Sequence, residues 1–414
     1  MKTRFMTILA LLALAHSYAG GFRVALQGQR ALAMGHTGVA VVNTSEVAFF
    51  NPAGMSFLEE KLSVSFGMSA IFSNIAFQNE AFGYSVRSES SVGTPFNLYG
   101  TYKINEKLSL GIAVYTPYGS QVQYPDNWAG SHLVNDIELS AIFFQPTISY
   151  KITDKISVGG GPIYVSGNVN FSRNLDRSTT NTEGERIGVT IDQSGIGAWG
   201  YTAGLMFKPT DKLTMGINYR SEINVEARDG NADFRNIPEN LQNQFADGTF
   251  DADLPLPAEL SVGASYQVNG KWLVAFDYNR VFWNAYEALD VQFSNGLESI
   301  NPRNYKDSST YRFGFQYNAS ETFTLRGGYY FDESPVQDGY FAPETPRNNS
   351  NNFTAGLSVQ ISNRFAIDAS FLYIHFNEID ASYDYYFENG QAAPFGGTYK
   401  NNAFIPGLGI TYSL

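Results

Sequence analysis

Residues 213–228 read LTMGINYRSEINVEAR. Leu213, Met215, Ile217, Tyr219, Ile223, Val225 and Ala227 share one parity, broken only by Ser221. Thr214, Gly216, Asn218, Arg220, Glu222, Asn224, Glu226 and Arg228 share the other. A period of two marks an extended strand with one apolar and one polar face. Two Arg and two Glu on one face cannot sit against lipid, where a mid-bilayer charge costs several kcal/mol. They are expected to point into a wet lumen and to pair with one another.

The same alternation recurs along the chain. Leu62, Val64, Phe66, Met68, Ala70 and Phe72 alternate with small or polar residues over about twice the usual strand length of roughly 5–6. Comparable segments fall at about 94–104, 106–118, 139–152, 155–173, 197–208, 256–268, 271–293, 309–318, 321–332, 351–362, 364–386 and 400–414. With the first two that makes about fourteen, the even number required of an antiparallel barrel whose ends lie on one side of the membrane. Connections alternate in length. Short ones hold Asn105 and Glu106, Thr153 and Asp154, or Asn269 and Gly270, and long ones cover roughly 74–93, 119–138, 174–196 and 229–255. Short periplasmic turns against long extracellular loops give this asymmetry. The last strand carries Leu408, Ile410, Tyr412 and Leu414 on one face and closes the sheet.

Composition agrees. A chain of 414 residues could hold two or three soluble domains, but 32 Phe and 26 Tyr, with only 16% charged residues, fit a barrel with an apolar band and aromatic girdles. Lys2 and Arg4, the apolar run Phe5–Ala15, and small residues Ser17 and Ala19 mark residues 1–19 as a signal peptide. The apolar run is shorter than the roughly 20 residues of a spanning helix. Its removal takes away two basic and no acidic residues, leaving 25 − 39 = −14, so nucleic acid is excluded as a partner. Absence of cysteine removes disulfides, thiolate metal sites and a Cys nucleophile. Between signal and first strand lie residues 20–58, rich in small residues and closing on Asn51, Pro52 and Ala53. The expected organisation is therefore all-β: a 14-stranded antiparallel transmembrane barrel over 59–414, with 20–58 folded into its lumen as a hatch.

Nothing points to an enzyme or a cofactor. Outside the signal only His36, His132 and His375 remain, none beside a nucleophile motif. The acidic run Asp247–Asp253 lacks the spacing of an EF-hand, so no metal site is assigned. One irregularity stands out at Thr116-Pro117-Tyr118-Gly119: proline cannot donate to a ladder and is confined to edges, strand ends or bulges. A bulge or kink is expected at Thr116 to Gly119, with Gln121 to Leu133 lying over the mouth and Trp128 and Leu133 offering apolar contact. An apolar solute leaving through such a gap would avoid water.

The Gly21-Phe22 start, the small residues Ala33, Gly35, Gly38 and Ala40, and the Asn51-Pro52-Ala53 close resemble the N-terminal hatch of the FadL/TodX family of outer-membrane transporters. Tyr118-Gly119, Trp199-Gly200, Tyr219-Arg220-Ser221-Glu222, Lys306-Asp307 and Asp332-Glu333-Ser334-Pro335-Val336 extend the likeness along the mature chain. The resemblance implies a monomeric, hatch-plugged, 14-stranded barrel in the bacterial outer membrane, in contact with its lipid and lipopolysaccharide. It implies passive uptake of long-chain fatty acids or other hydrophobic small molecules. It also implies an outer apolar groove, a deeper site for a carboxylate, and lateral exit at a kinked third strand marked by Pro117 and Gly119. Carried over residue by residue, a hydroxyl near the kink falls on Thr116 and a loop lysine on Lys306. A fifth-strand arginine falls on Phe171, with Arg173 on the same parity two residues later. The rival readings are a general diffusion porin, which has no need of the hatch, and a structural or adhesive barrel.

Overall fold

A computed structural model describes residues 22–388 and 390–414. The signal segment 1–19 and the first two hatch residues lie outside the described residues. Fourteen strands form the wall: β1 (Leu62–Ser69 continued by Phe72–Asn79), β2 (Phe96–Lys103), β3 (Leu108–Gln123), β4 (Asp136–Thr153), β5 (Ile156–Asn174), β6 (Gly188–Phe207) and β7 (Leu213–Arg220 continued by Ile223–Arg235). There follow β8 (Gly248–Leu256 continued by Glu259–Gln267), β9 (Trp272–Val281), β10 (Ser308–Asn318), β11 (Phe323–Asp332), β12 (Ser350–Gln360), β13 (Phe365–Phe376 continued by Ile379–Tyr383) and β14 (Phe395–Ser413). Neighbours pair antiparallel, and β14 returns to β1 in the register Ser63↔Ser413 to Ser69↔Gly407, which closes the ring.

The wall has two storeys. In the lower one, apolar side chains such as Phe66, Ile112, Ile148, Ile217 and Phe313 face outward and are exposed, as lipid-facing positions must be. In the upper one the faces are exchanged. Ile191, Val225 and Phe250 are buried inward, while Glu226, Arg228, Asp251 and Asp253 are exposed outside. The exchange corrects the expectation for 213–228. Only Arg220 points inward, where it approaches Glu259 at 3.9 Å. The strand breaks its phase at Ser221–Glu222, so Glu222, Glu226 and Arg228 lie on the outer surface, and Arg228 pairs there with Glu226 (3.1 Å) and Asp253 (2.6 Å). The physical reason is a change of solvent: above the membrane the outside is water and the lumen is the apolar phase. The same exchange explains why parts of the expected long loops, such as 229–235 and 248–255, are wall strand, and why the expected strand 271–293 leaves the ladder after Val281.

Phe22–Leu58 runs through the lumen almost wholly buried and ends where exposed Glu59 leads into β1. It holds two short helices, α1 (Gln29–Ala33) and α2 (Val47–Phe50), and a 3₁₀ turn at Pro52–Phe57. The Glu46 carboxylate accepts from the Arg30 and Ala31 amides (3.1 and 3.0 Å) at the start of α1. Asn51 donates to the carbonyls of Val39 and of Leu205 in β6 (both 3.1 Å), and its own Oδ1 accepts from Ala53 N (3.2 Å). The Ala53 carbonyl accepts from Ser149 of β4 (2.9 Å) and Ser157 of β5 (2.6 Å). Asp277 of β9 accepts from the Gly38 and Val39 amides (2.7 and 3.0 Å).

Space for this segment comes from wall glycines. A Cβ at Gly314 would lie 2.0 Å from the Met34 carbonyl oxygen, and one at Gly328 2.2 Å from the Gly35 nitrogen. Because the ladder closes without the hatch, Gly314→Val and Gly328→Val are expected to leave a heat-modifiable barrel but unseat the hatch and raise conductance to small polar solutes. Unchanged conductance in folded variants would show that the wall does not need these glycines.

Candidate functional site

The upper storey encloses an apolar cavity of about 130 Å³. Phe22, the first described hatch residue, forms part of its floor, in ring contact with Tyr118 (5.7 Å), Trp283 (5.1 Å) and Tyr286 (5.7 Å). Leu133 and Phe171 contribute to the walls. One end is polar. Arg173 projects from the top of β5, donates to the His132 carbonyl (3.1 Å) and to Ser299 Oγ (3.0 Å), and among the described residues has no carboxylate at ion-pair distance. Arg303, by contrast, is paired with Glu344 and sits over the Tyr383 ring. His132, in the loop between β3 and β4, is held down at about 3 by burial and then by Arg177, Arg173 and Arg186. It is therefore neutral at ordinary pH, which leaves one fewer cation beside Arg173.

A second cavity, of about 480 Å³, lies beside the first and reaches the wall. β2 pairs with β3 only as far as Asn97↔Tyr115, and the β3–β4 register shifts between Tyr115 and Tyr118. Above that point, among the described residues, no strand pairs with the β2 side of β3. The hatch occupies it: Val24 N donates to the Pro117 carbonyl (2.7 Å), Gly119 N to the Phe22 carbonyl (3.1 Å) and Gln27 Nε2 to the Thr116 carbonyl (3.2 Å). The cavity runs between Ser90–Phe96 on one side and Thr116–Val122 on the other. Tyr118 and Leu139 line both cavities and so stand between them.

Arg23 fixes the hatch at this junction. Its guanidinium bonds Glu259 (3.1 Å), Asn279 (2.5 Å), Thr310 (2.9 Å) and Asp332 (3.2 Å), groups from β8, β9, β10 and β11. Tyr118 Oη donates to the other oxygen of Glu259 (3.3 Å).

The sequence-selected residues separate clearly. Leu133, Phe171 and Arg173 line the upper cavity, Thr116 the lateral one, Pro117 lies within the register shift and Gly119 just beyond it. Asn51, Pro52 and Ala53 join hatch to wall and touch neither cavity. Trp128 does not offer its ring to the mouth. It stacks on Tyr124 at 4.1 Å, meets Phe77 and Phe395 edge-on, and donates to the Val134 carbonyl (2.7 Å), because a loop without a sheet beneath it must build its own apolar core. Lys306 is half-buried, its amide bonds the Pro335 carbonyl (2.9 Å), and it lines neither cavity. Arg303, three residues earlier, does. Arg23, Glu259, Arg303 and Glu344 were not legible as site residues, since each pair is formed across distant parts of the chain.

A closed barrel with a filled lumen, an apolar cavity under extracellular loops and a break in the wall define a plugged outer-membrane transport channel. Residues 10–414 match the family of outer membrane protein transport proteins (OMPP1/FadL/TodX), and the chain belongs to it. It is a transporter, not an enzyme. It is 22% identical to the long-chain fatty acid transport protein of Escherichia coli O6:H1 over 80% of this chain and 82% of that one. The fold is similar to a Pseudomonas aeruginosa FadL homologue (TM-score 0.83, 18% identity, 95% and 99% covered). It is also similar to the Pseudomonas putida toluene transporter TodX (TM-score 0.73, 18% identity, 94% and 98% covered).

If Arg173 receives a carboxylate, Arg173→Met is expected to weaken binding of a fatty acid by about 1.5–3 kcal/mol, the worth of a charge-assisted hydrogen bond. Binding of the matching alkane should change little. Equal losses for acid and alkane, measured by competition with a fluorescent probe, would remove Arg173 from carboxylate recognition.

Proposed function

We propose that this chain admits long-chain fatty acids or similar hydrophobic molecules passively across the outer membrane. They are captured at the extracellular loops, held in the upper cavity with any carboxylate on Arg173, and released sideways through the β2–β3 break. The observation that carries the reading is the pair of adjoining cavities, one apolar with an unpaired cation at its end, the other reaching the wall where β3 loses its partner. Binding is driven by burial of the apolar part. Each methylene contributes about 0.8 kcal/mol, so a long chain outweighs the head group severalfold.

Cavity size adds a constraint. About 130 Å³ is close to the ~150 Å³ of an apolar cavity that takes benzene. A single ring fits the upper cavity as it stands. A long acyl chain must displace Tyr118 or Leu139 and extend into the lateral cavity, and this couples binding to the contacts that Tyr118 shares with Arg23 and Glu259. The filled lumen disfavours a general porin, because small polar solutes would have to pass a segment hydrogen-bonded to most of the wall.

The lateral cavity can be filled without disturbing the upper one. A Cβ at Gly93 would meet nothing nearer than Ile71 Cδ1 at 3.5 Å. Gly93→Trp is therefore expected to fold, to load the upper cavity normally and to lose uptake of labelled oleate. Full uptake by a folded Gly93→Trp protein would contradict lateral release at β2–β3.

A further inference from the structure

The wall is unzipped at a second place. β6 and β7 pair from Thr202↔Arg220 to Phe207↔Met215 below, and from Asp192↔Asn231 to Gly188↔Arg235 above. Between these two ladders, among the described residues, no ladder pair joins 193–200 to 222–230. The Ser221 amide bonds the Tyr201 carbonyl (2.9 Å) at the lower margin, and the Gln193 side chain bonds the Arg228 carbonyl (2.9 Å) near the upper one. The outer edges of the same segments remain paired, Trp199 with Tyr164 of β5 and Ile223 with Leu256 of β8. Each outer edge carries one register shift, between Gly167 and Val169 of β5 and between Ala227 and Gly230 of β7, but stays paired on both sides of it, so the long run without ladder pairs belongs to this seam.

Side chains close the seam. Ile196, Val225 and Ala227 meet from inside and line the upper cavity, while Ile223 lies against Gly200. Asn168, exposed on the outer surface, also lines that cavity, and its Oδ1 accepts from the Gly195 amide (2.9 Å) beside the seam. Only a layer of apolar side chains separates cavity from exterior here, whereas the β2–β3 break is filled by hatch backbone. The level is also informative. Trp199 and Tyr201, 69% and 54% exposed, lie on the outer face at its lower end, where aromatic residues mark the membrane surface. Above them Asn224, Glu226 and Arg228 face water. Unpaired main chain is costly in hydrocarbon, so the seam is placed at the polar surface of the outer leaflet, where apolar solutes collect.

We propose that the β6–β7 seam is a second lateral passage, through which a small apolar molecule at the outer-leaflet surface reaches the upper cavity. For such a molecule, loading and release use different sides of the barrel: admission by parting of Ile196, Ile223 and Val225, release at β2–β3. The proposal rests on the uptake reading given above.

The full chain, which has no cysteine of its own, allows a direct test. A Cβ at Gly200 would lie 2.5 Å from Ile223 Cγ1, so the two Cβ atoms of Gly200→Cys/Ile223→Cys stand no more than about 4 Å apart, within disulfide reach. In cells making this variant, initial uptake of labelled toluene, taken relative to that of labelled oleate captured at the loops, is expected to fall several-fold on oxidation and to recover on reduction. Equal rates in the oxidised and reduced protein would overturn the proposal. If neither probe shows saturable uptake even through the unmodified chain, the uptake reading fails and the proposal falls with it. Should the pair not fold, single substitutions decide. Ile223→Cys at the seam is expected to react with N-ethylmaleimide several-fold faster than Val165→Cys, which is equally buried and paired on both sides. Equal protection of the two would overturn the proposal.

Discussion

A sheet that crosses a bilayer has to satisfy every main-chain donor and acceptor from within, and only a closed ring does so. Here the pairing of β1 with β14 supplies closure. Wherever the ladder fails, something else must take its place, and the two failures described differ in what that is. At β2–β3 the hatch backbone takes over the exposed edge of β3 through Phe22 and Val24. At β6–β7 apolar side chains close the opening at a height where water and head groups can satisfy the main chain. In the proposed function, transport follows from these exceptions and not from the regular wall.

The hatch is held by two kinds of fit. Steric fit comes from wall glycines, against which the hatch main chain packs more closely than any side chain would allow. Electrostatic fit comes from Arg23, whose guanidinium gathers Glu259, Asn279, Thr310 and Asp332 into one buried cluster. Breaking such a buried pair leaves an uncompensated charge and typically costs about 3–5 kcal/mol, so Arg23 holds its place in all but a small fraction of molecules. Through Tyr118 the same cluster reaches the partition between the cavities. A ligand long enough to move Tyr118 therefore acts on the hatch anchor.

Much of this architecture was legible in the sequence. Alternation revealed the strands because lipid imposes a strict period on one face, and Pro117 with Gly119 marked the irregular strand because proline has no donor. The exchange of faces in the upper storey was not legible. A period-two pattern says which residues share a face but not which side holds water, so Glu226 and Arg228 were assigned to the lumen and Asp251 and Asp253 to a loop. Arg173 was found through its parity with Phe171. Arg303 and Glu344 carry no local signal, since their pairing depends on two loops meeting. Trp128 misled because a loop aromatic reads the same whether it meets a ligand or packs against Tyr124 and Phe77.

The central claim is that a hydrophobic molecule occupies the upper cavity and continues into the wall, not down the barrel axis. A crystal structure of the protein soaked with a terminally brominated long-chain fatty acid tests it most directly, because bromine is located by its anomalous signal. The account predicts the carboxylate at Arg173 and bromine in the lateral cavity between Ser90–Phe96 and Thr116–Val122. Bromine along the hatch, below Asn51, with the lateral cavity empty would contradict it.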